Sequence, residues 1–272
     1  MSYKEVRFTS GSQEIREIII AQLSELQYEG FEETDDGIRA YIPEQQFDEE
    51  EVKLLAAQLG IAYSITFIPD TNWNQLWESN FQPVVVSNFC GIRAHFHEAL
   101  QDVQHEIIIT PKMSFGTGHH PTTYMMIQQM QEIDFRERSV LDFGTGTGVL
   151  AILAHKLGAA RIVAIDNDEW SISNARENFD RNGTSSVETI LADTPGTSGT
   201  YDIILANIIK NVILENFDAF SQRLNPGGML VLSGLLPEDE TSIMAKAGLP
   251  GFALVKKLQR ENWISLSFSL RG

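Results

Sequence analysis

The sequence predicts an α/β protein whose main sheet is doubly wound and mostly parallel, ends in an antiparallel hairpin, and is preceded by a small α+β domain. Three observations lead there. From Ser139 onward, short apolar runs alternate with helical stretches, which is the pattern of βαβ units. The last two apolar runs, Phe252 to Leu258 and Trp263 to Leu270, are separated by a few polar residues only, too few for a helical crossover, so they pair as an edge hairpin. The first quarter of the chain reads strand, helix, strand, strand, helix, strand. A length of 272 residues suits one large and one small domain. The expected boundaries are 1–68 for the small domain, 69–110 for a connector and 111–272 for the large domain.

Element by element, the first helix is expected to begin near Ser12, with Ile15, Ile18, Ile19, Leu23 and Leu26 forming an apolar stripe at helical spacing. Asp35-Asp36-Gly37 marks a hairpin turn between two short strands. A second helix runs from about Asp48 to Leu59, and the β-branched and aromatic run from Ile61 to Ile68 favours a strand. The resulting βαββαβ order is the ferredoxin-like split motif. In the connector, Trp73, Trp77 and Phe81 recur at four-residue spacing, the spacing of one buried helix face packed between domains. Beyond it come strand Val140 to Phe143, helix Val149 to Leu157, strand Ile162 to Ile165 and helix Trp170 to Phe179. Leu224-Asn225-Pro226-Gly227-Gly228 is turn punctuation between a helix and the strand Met229 to Leu232.

Composition narrows the function. Lys and Arg total 20 against 37 Asp and Glu, a formal charge of −17, which argues against a broad nucleic-acid-binding surface and favours a basic partner or a cationic ligand. Residues 1–68 hold five basic and fourteen acidic residues, net −9. A solvated outer face accounts for such a run; the functional alternative is a docking surface for something basic. The single Cys90 excludes an internal disulfide and a multi-cysteine zinc site. No apolar stretch reaches the ~18 residues that span a bilayer, and the start Met1-Ser2-Tyr3-Lys4-Glu5 lacks signal-peptide features, so the expected location is the cytosol.

The strongest chemical signal is Leu141-Asp142-Phe143-Gly144-Thr145-Gly146-Thr147-Gly148, set between a strand and a helix. Glycines there allow a tight turn and close approach of a ligand to the backbone. Asp166 ends the following strand, eighteen residues beyond Gly148, where a carboxylate can accept hydrogen bonds from both hydroxyls of a ribose. Either a dinucleotide or S-adenosylmethionine has that ribose. Dinucleotides want G-x-G-x-x-G with the pyrophosphate on the helix N-terminus. Here the spacing is G-x-G-x-G, and Asp142 would repel a pyrophosphate yet suit an ammonium and a sulfonium. The reading favours S-adenosylmethionine over a nicotinamide cofactor.

Tyr201 to Asn207 reads as a strand ending at the same carboxyl edge. Asn207 could cap the next helix, or offer its carbonyl to a substrate amine. Upstream, Lys112 to Thr123 forms a loop shaped by two glycines and a proline that runs into a helix with Met125, Met126, Ile127 and Met130. The adjacent His119 and His120, and the alternating His95 and His97, lack the accompanying cysteines or carboxylates of a metal centre, and no metal site is expected.

Taken in order, F-G-T-G-H-H-P-T-T, D-F-G-T-G-T-G-V-L-A-I-L-A, A-I-D-N-D, A-N-I and L-N-P-G-G-M-L-V-L-S-G resemble the bacterial ribosomal protein L11 methyltransferases (PrmA). The W-x-x-x-W-x-x-x-F-x-P stretch from Trp73 to Pro83 and the small first domain extend the resemblance over nearly the whole chain. The resemblance implies a Rossmann-like class I methyltransferase domain. It also implies S-adenosylmethionine as donor, and transfer to lysine side chains and an N-terminal α-amine of one basic ribosomal protein. By matching motif positions, Thr123, Gly144, Asp166 and Asn207 would contact the cofactor; from the residue reading, Asn207 is also expected to act in catalysis by orienting the amine through its carbonyl. Two positions depart from the family pattern: His119 stands where Thr is usual, and Asn207-Ile208-Ile209 replaces Asn-Ile-Leu. A methyltransferase for RNA or a small molecule, and a cofactor-binding adaptor without catalysis, are the competing classes; the net charge opposes RNA as the main substrate and the intact motifs oppose the adaptor.

Overall fold

The computed structural model describes residues 2–10, 12–34, 36–68, 81–112, 114–196 and 199–271. It divides into two compact units, Met1–Asn80 and Phe81–Gly272.

The first unit runs β1 (Tyr3–Thr9), α1 (Gln13–Glu25), β2 (Gly30–Thr34), β3 (Gly37–Pro43), α2 (Glu49–Leu59) and β4 (Ala62–Ile68). Its strands pair antiparallel in the order β2-β3-β1-β4, the ferredoxin-like arrangement expected from the element order. Ser12 caps α1 by accepting the Ile15 N–H, and Asp48 caps α2 by accepting the Glu50 N–H. These bonds satisfy donors that a helix start leaves open. Val6, Phe8, Ile38, Ala40 and Ile42 alternate onto one sheet face and bury against Ile19, Leu23, Val52 and Leu55 of the helices. At the β2–β3 turn the backbones close so tightly that a Cβ on Gly37 would lie 1.9 Å from the Phe8 carbonyl oxygen. Only glycine fits there.

In the second unit the expected connector is not irregular. Residues 81–110 belong to the larger body, and they build a small sheet from β5 (Val84–Val86), β6 (Cys90–Ala94) and β7 (His105–Ile109). β5 pairs antiparallel with β6, and β6 parallel with β7. The physical reason for the correction is burial. Ile92, Ala94, Ile107 and Ile109 share one core with Val149, Ile152 and Leu153, so this stretch cannot separate from the large domain. Phe81 joins that core, whereas Trp73 and Trp77 lie outside the described residues.

There follow α3 (Pro121–Met130), β8 (Ser139–Phe143), α4 (Val149–Lys156), β9 (Arg161–Asp166), α5 (Glu169–Arg181) and β10 (Glu188–Leu191). The chain continues with β11 (Tyr201–Asn207), α6 (Lys210–Arg223), β12 (Leu224–Leu235), α7 (Glu240–Gly248), β13 (Phe252–Arg260) and β14 (Trp263–Leu270). The seven-stranded sheet has the order β10-β9-β8-β11-β12-β14-β13. It is parallel through β12, and β14 runs antiparallel to both β12 and β13. The Asn225-Pro226-Gly227-Gly228 turn is absorbed into β12, where the register with β11 jumps from Tyr201↔Leu224 to Ile203↔Met229. Strand order reverses between β8 and β11, which opens a crevice at their carboxyl ends. Gly144 and Asn207 stand at those ends.

Candidate functional site

A cavity of about 450 Å³ lies at this crevice. Its walls come from the carboxyl ends of β8, β9 and β11, from the 114–120 loop, and from Trp263 at the start of β14. Gly144 and Gly146 carry φ values of +76° and +53°, backbone that side-chain-bearing residues avoid. Space forbids a side chain as well. A Cβ on Gly144 would lie 2.2 Å from Ile208 Cγ2, and one on Gly146 would lie 2.3 Å from the Phe115 carbonyl oxygen. The loop is tied to β9 through Gly144 and Thr145, whose N–H groups donate to the Ile165 carbonyl at 2.8 and 2.9 Å.

Asp166 lines the cavity. Its Oδ2 accepts the Gly146 N–H at 2.9 Å and its Oδ1 accepts the Asp168 N–H at 3.1 Å. The carboxylate is thereby held in one orientation, with lone pairs left for hydroxyl donors. Asp193 is the other acidic residue on the wall, and neither Lys nor Arg lines the cavity among the described residues. The polarity is that of a site for a cationic ligand.

Asp142 contributes differently from the sequence expectation. It is wholly buried and is not part of the cavity wall, so it cannot meet a ligand's ammonium directly. Its Oδ2 accepts the Thr145 hydroxyl at 2.6 Å, while Oδ1 has no hydrogen-bond partner among the described residues. Burial raises its carboxyl to about 7, with the Asp166 charge adding to the rise and the Thr145 hydroxyl and the nearby Ala151 backbone opposing it. Its visible role is to brace the glycine loop from beneath.

Asn207 is on the cavity wall and only 9% exposed. Its Nδ2 donates to Thr123 Oγ1 at 3.2 Å, and its Oδ1 has no hydrogen-bond partner among the described residues. A buried carbonyl without a donor costs about 1–3 kcal/mol, and this one belongs to a residue that lines the cavity. The alternative role as a helix cap does not apply, because α6 takes Ile209 as its N-cap. Thr123 is 1% exposed and stands behind Asn207, whereas its neighbour Thr122 lines the cavity. The structure thus brings Gly144, Asp166 and Asn207 to one wall and sets Thr123 one layer deeper, as the group that orients Asn207.

Sequence reasoning did not single out the aromatic side of the cavity. His120 lies edge-on to Phe115, with ring centroids 5.2 Å apart, and to Trp263 at 4.8 Å. Phe115 and His120 were within reach, being part of the F-G-T-G-H-H segment; Trp263 arrives through the hairpin, which only topology could reveal. His120 Nδ1 faces the Thr122 N–H at 3.3 Å and the Thr122 hydroxyl at 2.7 Å, capping α3. Burial lowers its pKa against the opposing charge of Glu261, so a neutral imidazole faces this wall near pH 7.

The chain is similar to known proteins. The profile of the family described as ribosomal protein L11 methyltransferase (PrmA) matches residues 7–271. A ribosomal protein L11 methyltransferase of Porphyromonas gingivalis is 39% identical over 265 residues, spanning 93% of this chain and 90% of that protein. One from Phocaeicola vulgatus is 36% identical over 281 residues, covering both chains entirely. The crystal structure of a ribosomal protein L11 methylase from Lactobacillus delbrueckii subsp. bulgaricus superimposes with a TM-score of 0.66 at 27% identity, over 71% of this chain and all of that one. An identity above one third across whole chains, carried on a sheet whose order and cavity fit a methyl-donor site, leaves one conclusion: the chain belongs to the ribosomal protein L11 methyltransferase family.

Proposed function

We propose that this protein transfers methyl groups from S-adenosylmethionine to lysine side chains and the N-terminal α-amine of ribosomal protein L11, with Asn207 orienting the acceptor nitrogen. The single observation that carries the assignment of Asn207 is its Oδ1, a buried acceptor with no donor among the described residues, on a side chain that lines the cavity and is tied by Thr123.

The residues suit the donor. Asp166 offers its carboxylate to the ribose hydroxyls, Gly144 and Gly146 let the ligand lie against backbone, and the acidic wall favours a cationic donor. When bound, S-adenosylmethionine supplies an electrophilic methyl on a positive sulfonium. What remains for the chain is positioning, since in-line displacement requires only a neutral amine held close and aligned. A lysine with reference pKa near 10.4 must lose about 3.4 units, or roughly 4.6 kcal/mol, to be neutral at pH 7. Desolvation in the cavity supplies part of that, and the proton passes to solvent before the amine displaces the methyl from sulfur. Asn207 Oδ1 then accepts an N–H of the amine and turns its lone pair toward the methyl. His120 does not serve as the base in this scheme. Its Nδ1 already accepts from Thr122, and the neutral ring keeps its proton on Nε2.

The first unit is proposed to recognise the substrate. Seven of the fourteen acidic residues in 1–68 lie on or cap the helices, with Asp48, Glu49, Glu50 and Glu51 at the start of α2 and Glu14, Glu17 and Glu25 on α1, against Arg16 and Lys53. A basic ribosomal protein fits that surface, and RNA does not. Action on a ribosomal protein implies the cytosol; no described helix is long and apolar enough to cross a membrane.

The amine assignment is tested by offering the enzyme L11 whose amines have been acetylated beside untreated L11, with labelled methyl donor. Label should enter only the untreated protein. Equal labelling of both would move the acceptor to another chemical group.

A further inference from the structure

The loop that carries Phe115 and His120 is held from two sides. On the inner side, Thr147 of the glycine loop donates its N–H to the Phe115 carbonyl at 2.9 Å and its hydroxyl to the Gly116 carbonyl at 2.7 Å. On the outer side, the loop rests on the small β5–β6–β7 sheet. A Cβ on Gly118 would lie 2.6 Å from Ile92 Cδ1 and 3.4 Å from Val84 Cβ. His119 completes the outer side. Its Nε2 lies 2.9 Å from the Gln82 carbonyl, its Nδ1 lies 3.1 Å from Thr117 Oγ1, and its ring sits edge-on to Phe81 at 4.8 Å. A carbonyl only accepts, so Nε2 donates to Gln82 and Nδ1 accepts the Thr117 hydroxyl.

We propose that His119 is a positioning residue: by joining the loop to Gln82 and Phe81 it fixes Phe115 and His120 in the direction from which the acceptor amine approaches Asn207. The small sheet thereby acquires a role, as the platform on which the acceptor side of the cavity is aligned. Holding a reacting group to within a fraction of an ångström is worth far more in rate than in stability, and His119 itself is exposed, so its removal should leave the fold intact. The proposal rests on the amine-transfer reading for its rate effect, while the clamp itself is a statement about the loop.

The experiment compares the full-length wild type with His119→Ala and His119→Gln. Single-turnover transfer to L11 is measured alongside amide exchange at Thr147, whose N–H reports on the loop through its bond to Phe115. His119→Ala should slow transfer by roughly ten- to hundredfold, with acceptor KM little changed, and should speed exchange at Thr147. His119→Gln keeps an N–H donor of similar reach to Gln82 and should restore most of both. Wild-type transfer and exchange in His119→Ala would overturn the clamp, and so would equal losses in the two variants. A wild type that methylates no amine would instead overturn the functional reading, and the exchange comparison would still decide the clamp.

Discussion

Substituting Asn207 by alanine separates function from folding, because the two consequences for stability have opposite signs. Asn207→Ala deletes a buried carbonyl that has no donor, relieving about 1–3 kcal/mol, and strips Thr123 Oγ1 of its partner, costing about the same. The net is near zero, so the unfolding midpoint should move by no more than about 4 °C. The rate has no such compensation. An acceptor bond to an amine that gains charge as the methyl arrives is worth about 1.5–3 kcal/mol, and at 1.4 kcal/mol per factor of ten its loss slows transfer roughly ten- to hundredfold. The assay is single-turnover transfer of labelled methyl to L11 at saturating cofactor, with thermal unfolding of the same samples. A variant that unfolds much earlier yet transfers normally per folded molecule would return Asn207 to the ordinary core and refute the reasoning.

Three other outcomes are expected. Asp166→Ala should weaken S-adenosylmethionine binding by about 1.5–3 kcal/mol in calorimetry, while the wild type should not take up NAD; unchanged cofactor affinity would remove Asp166 from the ribose site. Because burial raises Asp142 to about 7, the unfolded chain releases this proton near pH 4 while the native chain still holds it. Native stability therefore falls as pH rises from about 4 to 7. Asp142→Asn should lack that component in urea titrations at pH 5 and pH 8, and an identical pH dependence in both proteins would contradict it. Neutralising Glu49, Glu50 and Glu51 to Gln on α2 should raise the KM for L11 and flatten its dependence on salt, with the cofactor KM unchanged; a KM for L11 that stays at the wild-type value would remove this surface from recognition.

The sequence made the periodic elements legible because each had a strong local cause. The α1 stripe began at a capping Ser12, the β2–β3 turn needed Gly37, and the terminal hairpin was forced by its short connection. The β5–β7 sheet was not legible. Its strands are three to five residues long, and Arg93, His105 and Glu106 interrupt the apolar pattern, so its burial comes from tertiary packing alone. At the site, Asp166 and Asn207 stood out because they end strands at the carboxyl edge, and Gly144 because it opens the glycine loop. Asp142 misled for the complementary reason: a carboxylate beside a glycine loop looks like a ligand contact until its burial is known. Thr122 and Thr123 differ by one residue, and only the phase of α3 decides which faces the cavity and which backs Asn207.

The central claim is that a protein amine, held at Asn207, receives the methyl group. It is tested most directly by incubating the full-length enzyme with labelled S-adenosylmethionine and, in parallel, purified L11, ribosomal RNA or no acceptor. The account predicts label in L11 alone, on lysines and the N-terminus when the product is mapped by mass spectrometry, and a loss of roughly ten- to hundredfold with Asn207→Ala. Label in the RNA and none in L11 would contradict it.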